Sequence, residues 1–325
     1  MSSQKTEKPP IRFSEIMEYM SCPELGRRSS ESKSPGNVHT VNGITMALMV
    51  ETYLSGSVKN PDPEAHASNC LQVAITEEEQ RSGKVWMTPQ QAGIIIDRCA
   101  SAFYHFMHWW PKQGLEVVAV EIEVRSNHIV ERGGRLDMLV YRPADGKFGI
   151  LDGKGYGMGG KSVNSQSITP DLNKENQCGW YGAILEAGCT AFKGVPNRER
   201  RTLTSELKKK YEHIELNFEI GFYGQILFGH LIPFKVGAKK GTQRGQCLFT
   251  AEFHQHLVTN ANRLADWYHV MKTLAPSPSV RRYDTGGRYT CDRCRFAKDC
   301  WPDANTPAPV ATIPDFVNEI LKEQP

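Results

Sequence analysis

The sequence predicts an α/β fold, on three observations. Glu116 to Arg125 (EVVAVEIEVR) alternates with period two, as a half-buried strand does. Leu136 to Tyr141 and Phe148 to Leu151 are two further runs of β-formers, separated by Pro143-Ala144-Asp145-Gly146, a turn signature. Pro89 to Trp110 and Asp171 to Ala187 have the length and residue choice of helices.

The remaining elements follow in order. Residues 1–12 read as a flexible leader. Phe13 to Tyr19 has helical spacing, with Ser14 as its N-cap, and delivers Cys22. Residues 24–38 read as a loop, Ile44 to Leu54 as an apolar helix and residues 55–75 as a second loop. On the strand at Glu116, Val117, Ala119, Glu121 and Glu123 share one face, and Val118, Val120, Ile122 and Val124 the other. After Lys154, the glycines of Gly155 to Lys161 (GYGMGGK) permit close backbone approach to a phosphate chain, or form a plain loop. Asn197 to Lys210 is strongly basic, Ile214 to Phe234 holds two apolar strand runs, and Lys235 to Arg244 is a second basic patch at a hairpin turn. Ala251 to Leu274 reads as a helix, and the tail from residue 303 is Pro/Ala-rich with a short amphipathic piece from Phe316 to Leu321. Residues 13–302 are expected to form one unit.

With 325 residues the chain can bury a substantial core, and its net charge of +3 permits a nucleic-acid partner without demanding one. No apolar run is long enough to span a bilayer and no signal-peptide core is present, so a cytoplasmic location is expected. Nine cysteines in such a chain suggest thiols or a metal site rather than disulfides.

The chemistry concentrates in Asp137, Asp152 and Lys154. Side chains two apart in a strand share a face, so Asp152 and Lys154 point the same way, and Asp137 can converge on them from the paired strand. Two carboxylates and a lysine on one face call for a cation. Mg²⁺ takes oxygen ligands from one or two carboxylates, water and substrate phosphate. A lysine beside it can orient water or steady charge growing on phosphate. D-x-K alone is common and also fits a solvated surface hairpin.

In wider context the chain resembles the PD-(D/E)XK nuclease superfamily, in its RecB-like branch. Gly134-Arg135-Leu136-Asp137 matches a G-x-x-D strand, Asp152-Gly153-Lys154 a D-x-K strand and Gln177 to Tyr181 a Q-x-x-x-Y helix, in that order. The resemblance implies a restriction-endonuclease-like fold, a mixed central sheet flanked by helices. It implies a metal-dependent DNA exonuclease acting on single strands or duplex ends in recombination, repair or CRISPR spacer capture. Mg²⁺ or Mn²⁺ would sit on Asp137, Asp152 and the Gly153 carbonyl, with Lys154 at the water and Gln177 and Tyr181 on the DNA strand. A helicase, annealing protein or integrase is the implied kind of protein partner. An acidic residue on the preceding strand is also implied, here Glu121 or Glu123.

One departure stands out. The family's G-x-x-x-H-x-x-x-E helix has Gly43 and Glu51 here, but Ala47 in place of histidine; His39, four residues upstream of Gly43, is a candidate substitute metal ligand. A DNA-binding scaffold without catalysis is therefore an alternative. Cys291, Cys294 and Cys300 are three closely spaced thiols lacking a fourth, which Cys22 can supply. The set is similar to the iron–sulfur clasp of the AddB and CRISPR-associated nucleases, implying a 4Fe–4S cluster. Four thiolates also suit zinc, leaving a zinc-stabilised RNA phosphodiesterase open. Cys70, Cys99, Cys178, Cys189 and Cys247 read as core residues.

Overall fold

The computed structural model describes residues 11–21, 23–31, 38–83, 85–126, 132–155, 172–192, 213–236 and 239–273. Contacts divide the chain into two units, Met1–Arg12 with Ser34–Asn262, and Phe13–Lys33 with Arg263–Pro325. The strands are β1 (Ile11–Arg12), β2 (Glu116–Ser126), β3 (Arg132–Arg142), β4 (Lys147–Gly155), β5 (Cys189–Phe192), β6 (His213–Leu216), β7 (Ile220–Val236) and β8 (Lys239–Glu252). The helices are α1 (Phe13–Ser21), α2 (Pro23–Glu31), α3 (Val38–Leu54), α4 (Pro63–Ser82), α5 (Pro89–Trp109), α6 (Leu172–Glu186) and α7 (Gln255–Thr273).

The first unit is an α/β structure on one mixed sheet of order β6-β5-β2-β3-β4-β7-β8, with β1 beside β3. β2, β3 and β4 form an antiparallel meander, and β7 joins β4 in parallel. The expected turn closes the β3–β4 hairpin. Gly146 takes a φ of 70° that favours glycine, and its N–H donates to the Arg142 carbonyl at 3.0 Å. Buried residues alternate between the sheet faces. Met138, Val140, Leu151, Phe222, Ile226 and Phe228 join Met49, Phe103 and Phe106 of α3 and α5 in one core. Leu139, Ile150, Tyr223 and Leu227 are buried outside that core. The Tyr223 hydroxyl donates to Glu175 of α6 at 2.9 Å, which places α6 over this second face.

In the second unit, Tyr19 of α1 meets Tyr268 of α7 edge-on, ring centroids 5.2 Å apart, and the Tyr268 hydroxyl donates to Glu15.

Several expectations change. The stretch read as loop at 24–38 contains α2, and that at 55–75 contains the start of α4, where Asp62 accepts from the Ala65 N–H at 2.8 Å and caps the helix. Ser14 lies inside α1 rather than capping it. Ile11 and Arg12, read as leader, pair with Arg132 and Gly133. Ala251 and Glu252 close β8 instead of opening α7, and Lys235 to Arg244 runs largely within paired β7 and β8. No helix among the described residues is long and apolar enough to cross a membrane. Cys22, Cys291, Cys294 and Cys300, the glycine-rich stretch from 156, the basic run 197–210 and the tail lie outside the described residues.

Candidate active site

The site forms where the sheet opens. β3 keeps β2 along one edge from Gly133 to Tyr141, but on its other edge the ladder to β4 ends at Met138 and Leu151. Beyond that point β3 takes up β1, at Arg132 and Gly133, while β4 continues along β7 to Gly155. Asp137 sits one step past the last β3–β4 pair. Its Oδ2 accepts from the Gly153 N–H at 2.9 Å, so a side chain bridges the gap that the backbone ladder leaves.

Register extends this into a polar rung across four strands. Val120 pairs with Met138 and Ile122 with Leu136, which sets Glu121 level with Asp137. Asp152 follows Leu151 on β4, and it pairs with Gln225 on β7. Lys154 Nζ donates to Asp152 Oδ1 at 2.7 Å, as the shared strand face predicts. Asp152 is buried, and its Oδ2 has no hydrogen-bond partner.

Helix α6 is tied to the opened part of β3 by the G-x-x-D and Q-x-x-x-Y residues acting together. The Tyr181 hydroxyl donates to the Arg135 carbonyl at 2.7 Å and takes a hydrogen bond from the Gln177 side chain. A Cβ on Gly134 would stand 2.8 Å from the Tyr181 ring, so only glycine allows this approach. Tyr181 is buried, and its hydroxyl holds the backbone of β3.

On the opposite side a pocket is lined by Gly43, Ala47 and Val50 of α3 with Val120, Glu121, Asp137 and Gly153. About 40 Å³ is open to the centre of a water-sized sphere, against the roughly 10–15 Å³ that one water needs. Ala47 lines this space, and His39 does not; His39 is exposed on the first turn of α3. Of the two acids on β2, Glu121 belongs to the site. Its φ of 49° is left-handed, rare for a non-glycine strand residue. A register shift at Val118 precedes it. The strict alternation expected for this strand fails here, and Val120 and Glu121 both reach the pocket. Glu123 instead lies 3.8 Å from Arg125.

Charge at the site is unevenly balanced. Burial, then Asp152 and Glu121 beside it, push the Asp137 carboxyl far above its ordinary range, to about 8. Burial likewise raises Glu121, with Glu51 adding to the effect and Arg135 opposing it. Arg135 Nε lies 2.7 Å from Glu121 Oε2, an ion pair without hydrogen-bond alignment. Burial alone would lower the pKa of Lys154, but Asp152 and Asp137 outweigh it, and the ammonium is held in its charged form. Burial, then the two aspartates, raises the Cys178 thiol, leaving it a neutral packing group.

These residues fit a hard divalent cation. A buried carboxylate oxygen without a donor, Asp152 Oδ2, beside the acids Asp137 and Glu121, suits a positive charge. Among the described residues no three His, Cys, Asp or Glu side chains converge as a metal cage. Two carboxylates with backbone and water as donors would suit Mg²⁺ or Mn²⁺ better than zinc. Sequence reasoning missed Arg135 and Gln225. Arg135 stands inside the G-x-x-D motif and was readable there; Gln225 carries no local signal. No family model, curated protein or solved structure matches the chain.

Proposed function

We propose that the chain is a metal-dependent phosphodiesterase of the PD-(D/E)XK type, its mixed sheet between helices corresponding to the restriction-endonuclease-like fold. Within that class we assign it to the DNA exonucleases, acting on single strands or duplex ends. The observation that carries the reading is the meeting of Asp137, Asp152 and Lys154 at the sheet opening, with Asp152 Oδ2 buried and unpartnered.

Asp137 and Asp152, with the Gly153 carbonyl, would hold Mg²⁺ or Mn²⁺. When bound, the ion supplies Lewis-acid stabilisation of phosphate charge and lowers the pKa of water. Asp137 fixes the backbone at Gly153 by accepting its N–H. Lys154, kept charged, donates hydrogen bonds to the attacking water or a phosphate oxygen, and does not abstract a proton itself. Gln177 and Tyr181 act indirectly, by locking β3 in place under α6. Cys22, Cys291, Cys294 and Cys300 are assigned to a 4Fe–4S clasp. Cys294→Ala should abolish the broad visible absorption of thiolate-ligated iron–sulfur in anaerobically purified protein; colourless wild-type protein with stoichiometric zinc would sink that assignment.

Ala47 in the pocket lining favours a second reading, a DNA-binding scaffold of the same fold. End-labelled linear DNA, single- and double-stranded, incubated with Mg²⁺ or Mn²⁺ separates the two. Loss of linear but not closed circular DNA, abolished in Lys154→Ala, is the expected result. Binding without cleavage at any metal concentration would reject the nuclease and leave the scaffold.

A further inference from the structure

Gln225 lies in the middle of β7 among the buried side chains of Phe222, Tyr223, Ile226 and Leu227, and is itself 1 % exposed. A buried amide that lacks partners is destabilising, so its groups should each find one. Gln225 Oε1 accepts from Lys174 Nζ at 3.4 Å, whereas its Nε2 has no partner. An ammonium only donates, so Lys174 fixes which end of the amide is oxygen. The NH₂ is left over.

The complementary deficit is next door. The parallel register pairs Gln225 with Asp152, which is 6 % exposed. Lys154 occupies Asp152 Oδ1, and Oδ2 has no donor. Neighbouring strands run about 4.8 Å apart, within reach of a glutamine amide directly or through one water.

We propose that Gln225 is a positioning residue for Asp152: when the divalent cation binds, its NH₂ donates to Asp152 Oδ2, directly or through one water, and holds that oxygen's second lone pair for the ion. The proposal rests on the metal-binding reading above. A carboxylate oxygen can accept one hydrogen bond and still ligate. Partners of this kind fix the ligand's rotation, and losing one costs about 10–100-fold in metal affinity. Lys174 extends the chain to α6, so helix, β7 and β4 jointly set the geometry of one ligand.

The test is Mn²⁺ affinity of the full chain, read from the electron paramagnetic resonance signal of free Mn²⁺, with no DNA present. Gln225→Leu should raise the Kd by about 10–100-fold, with circular dichroism confirming the fold. Lys174→Met, on a half-buried side chain, should shift it in the same direction by less. An unchanged Kd in folded Gln225→Leu overturns the positioning role while leaving metal binding intact. If Gln225→Leu does not fold, the Lys174→Met Kd decides in the same way. Wild-type protein that binds no Mn²⁺ overturns the metal reading and this proposal with it.

Discussion

Asp152→Asn is expected to cut metal-dependent DNA cleavage by at least about 10²–10³-fold, the range for losing one preorganised charge-stabilising group, while making the metal-free protein more stable at pH 8. Both effects follow from one atom. Asparagine keeps an oxygen for Lys154 but presents NH₂ where the unpartnered Oδ2 stood, and NH₂ does not ligate a cation. The stability effect acts through Asp137, whose carboxyl is raised to about 8 by burial and then by Asp152. A raised acid favours the folded state fully below its unfolded pKa of about 4, where both states hold the proton. As pH rises from there to about 8, the unfolded chain releases a proton that the folded one retains, and stability falls. Removing the neighbouring negative charge should flatten that decline. Melting curves at pH 5 and pH 8, with EDTA and with Mg²⁺, read it directly. Mg²⁺ should raise the wild-type melting temperature at pH 8 and leave Asp152→Asn nearly unmoved. A variant that cleaves like wild type would remove Asp152 from the chemistry.

The largest effect on folding is expected at Trp180. It is fully buried on α6, its Nε1–H donates to the Gly133 carbonyl at 3.4 Å, and the Arg132 guanidinium lies 5.2 Å from its ring centroid. Trp180→Ala should cost about 3–5 kcal/mol, much of a typical total of roughly 5–15 kcal/mol. The melting temperature should fall by roughly 6–20 °C for a unit of this size. The site would suffer beyond the cavity. Residues 134–137 of β3 have no β4 partner, and Trp180 and Tyr181 are what pin that stretch from above. Trp180→Phe should recover most of the stability. A Trp180→Ala melt within about 2 °C of wild type would mean α6 is not docked on β3.

The parts of this arrangement legible beforehand were those with local periodicity. The β3–β4 hairpin announced itself through β-formers around Pro143-Ala144-Asp145-Gly146, and α5 through its apolar length. Helix α2 (PELGRRSSE) hid because it is short and polar, with Gly26 inside it and Leu25 as its single large aliphatic side chain. Helix α4 buries Ala67, Cys70 and Ala74, small residues that leave little hydrophobic signal. Asp137, Asp152 and Lys154 could be read because their spacing is local. The left-handed turn at Glu121 and the burial of Gln225 could not, since each depends on a strand paired across the sheet.

The parallel pairing of β4 with β7 sets an order of events during synthesis. The meander and its two aspartates are complete once Gly155 has been made, yet Asp152 gains its second neighbour only when Gln225 and the strand around it emerge. Such long-range parallel contacts are slow to form because a large loop must close first. A nascent chain on the ribosome therefore carries the acids long before the edge that buries them, and the cluster around Asp152 is complete only after β7 has docked.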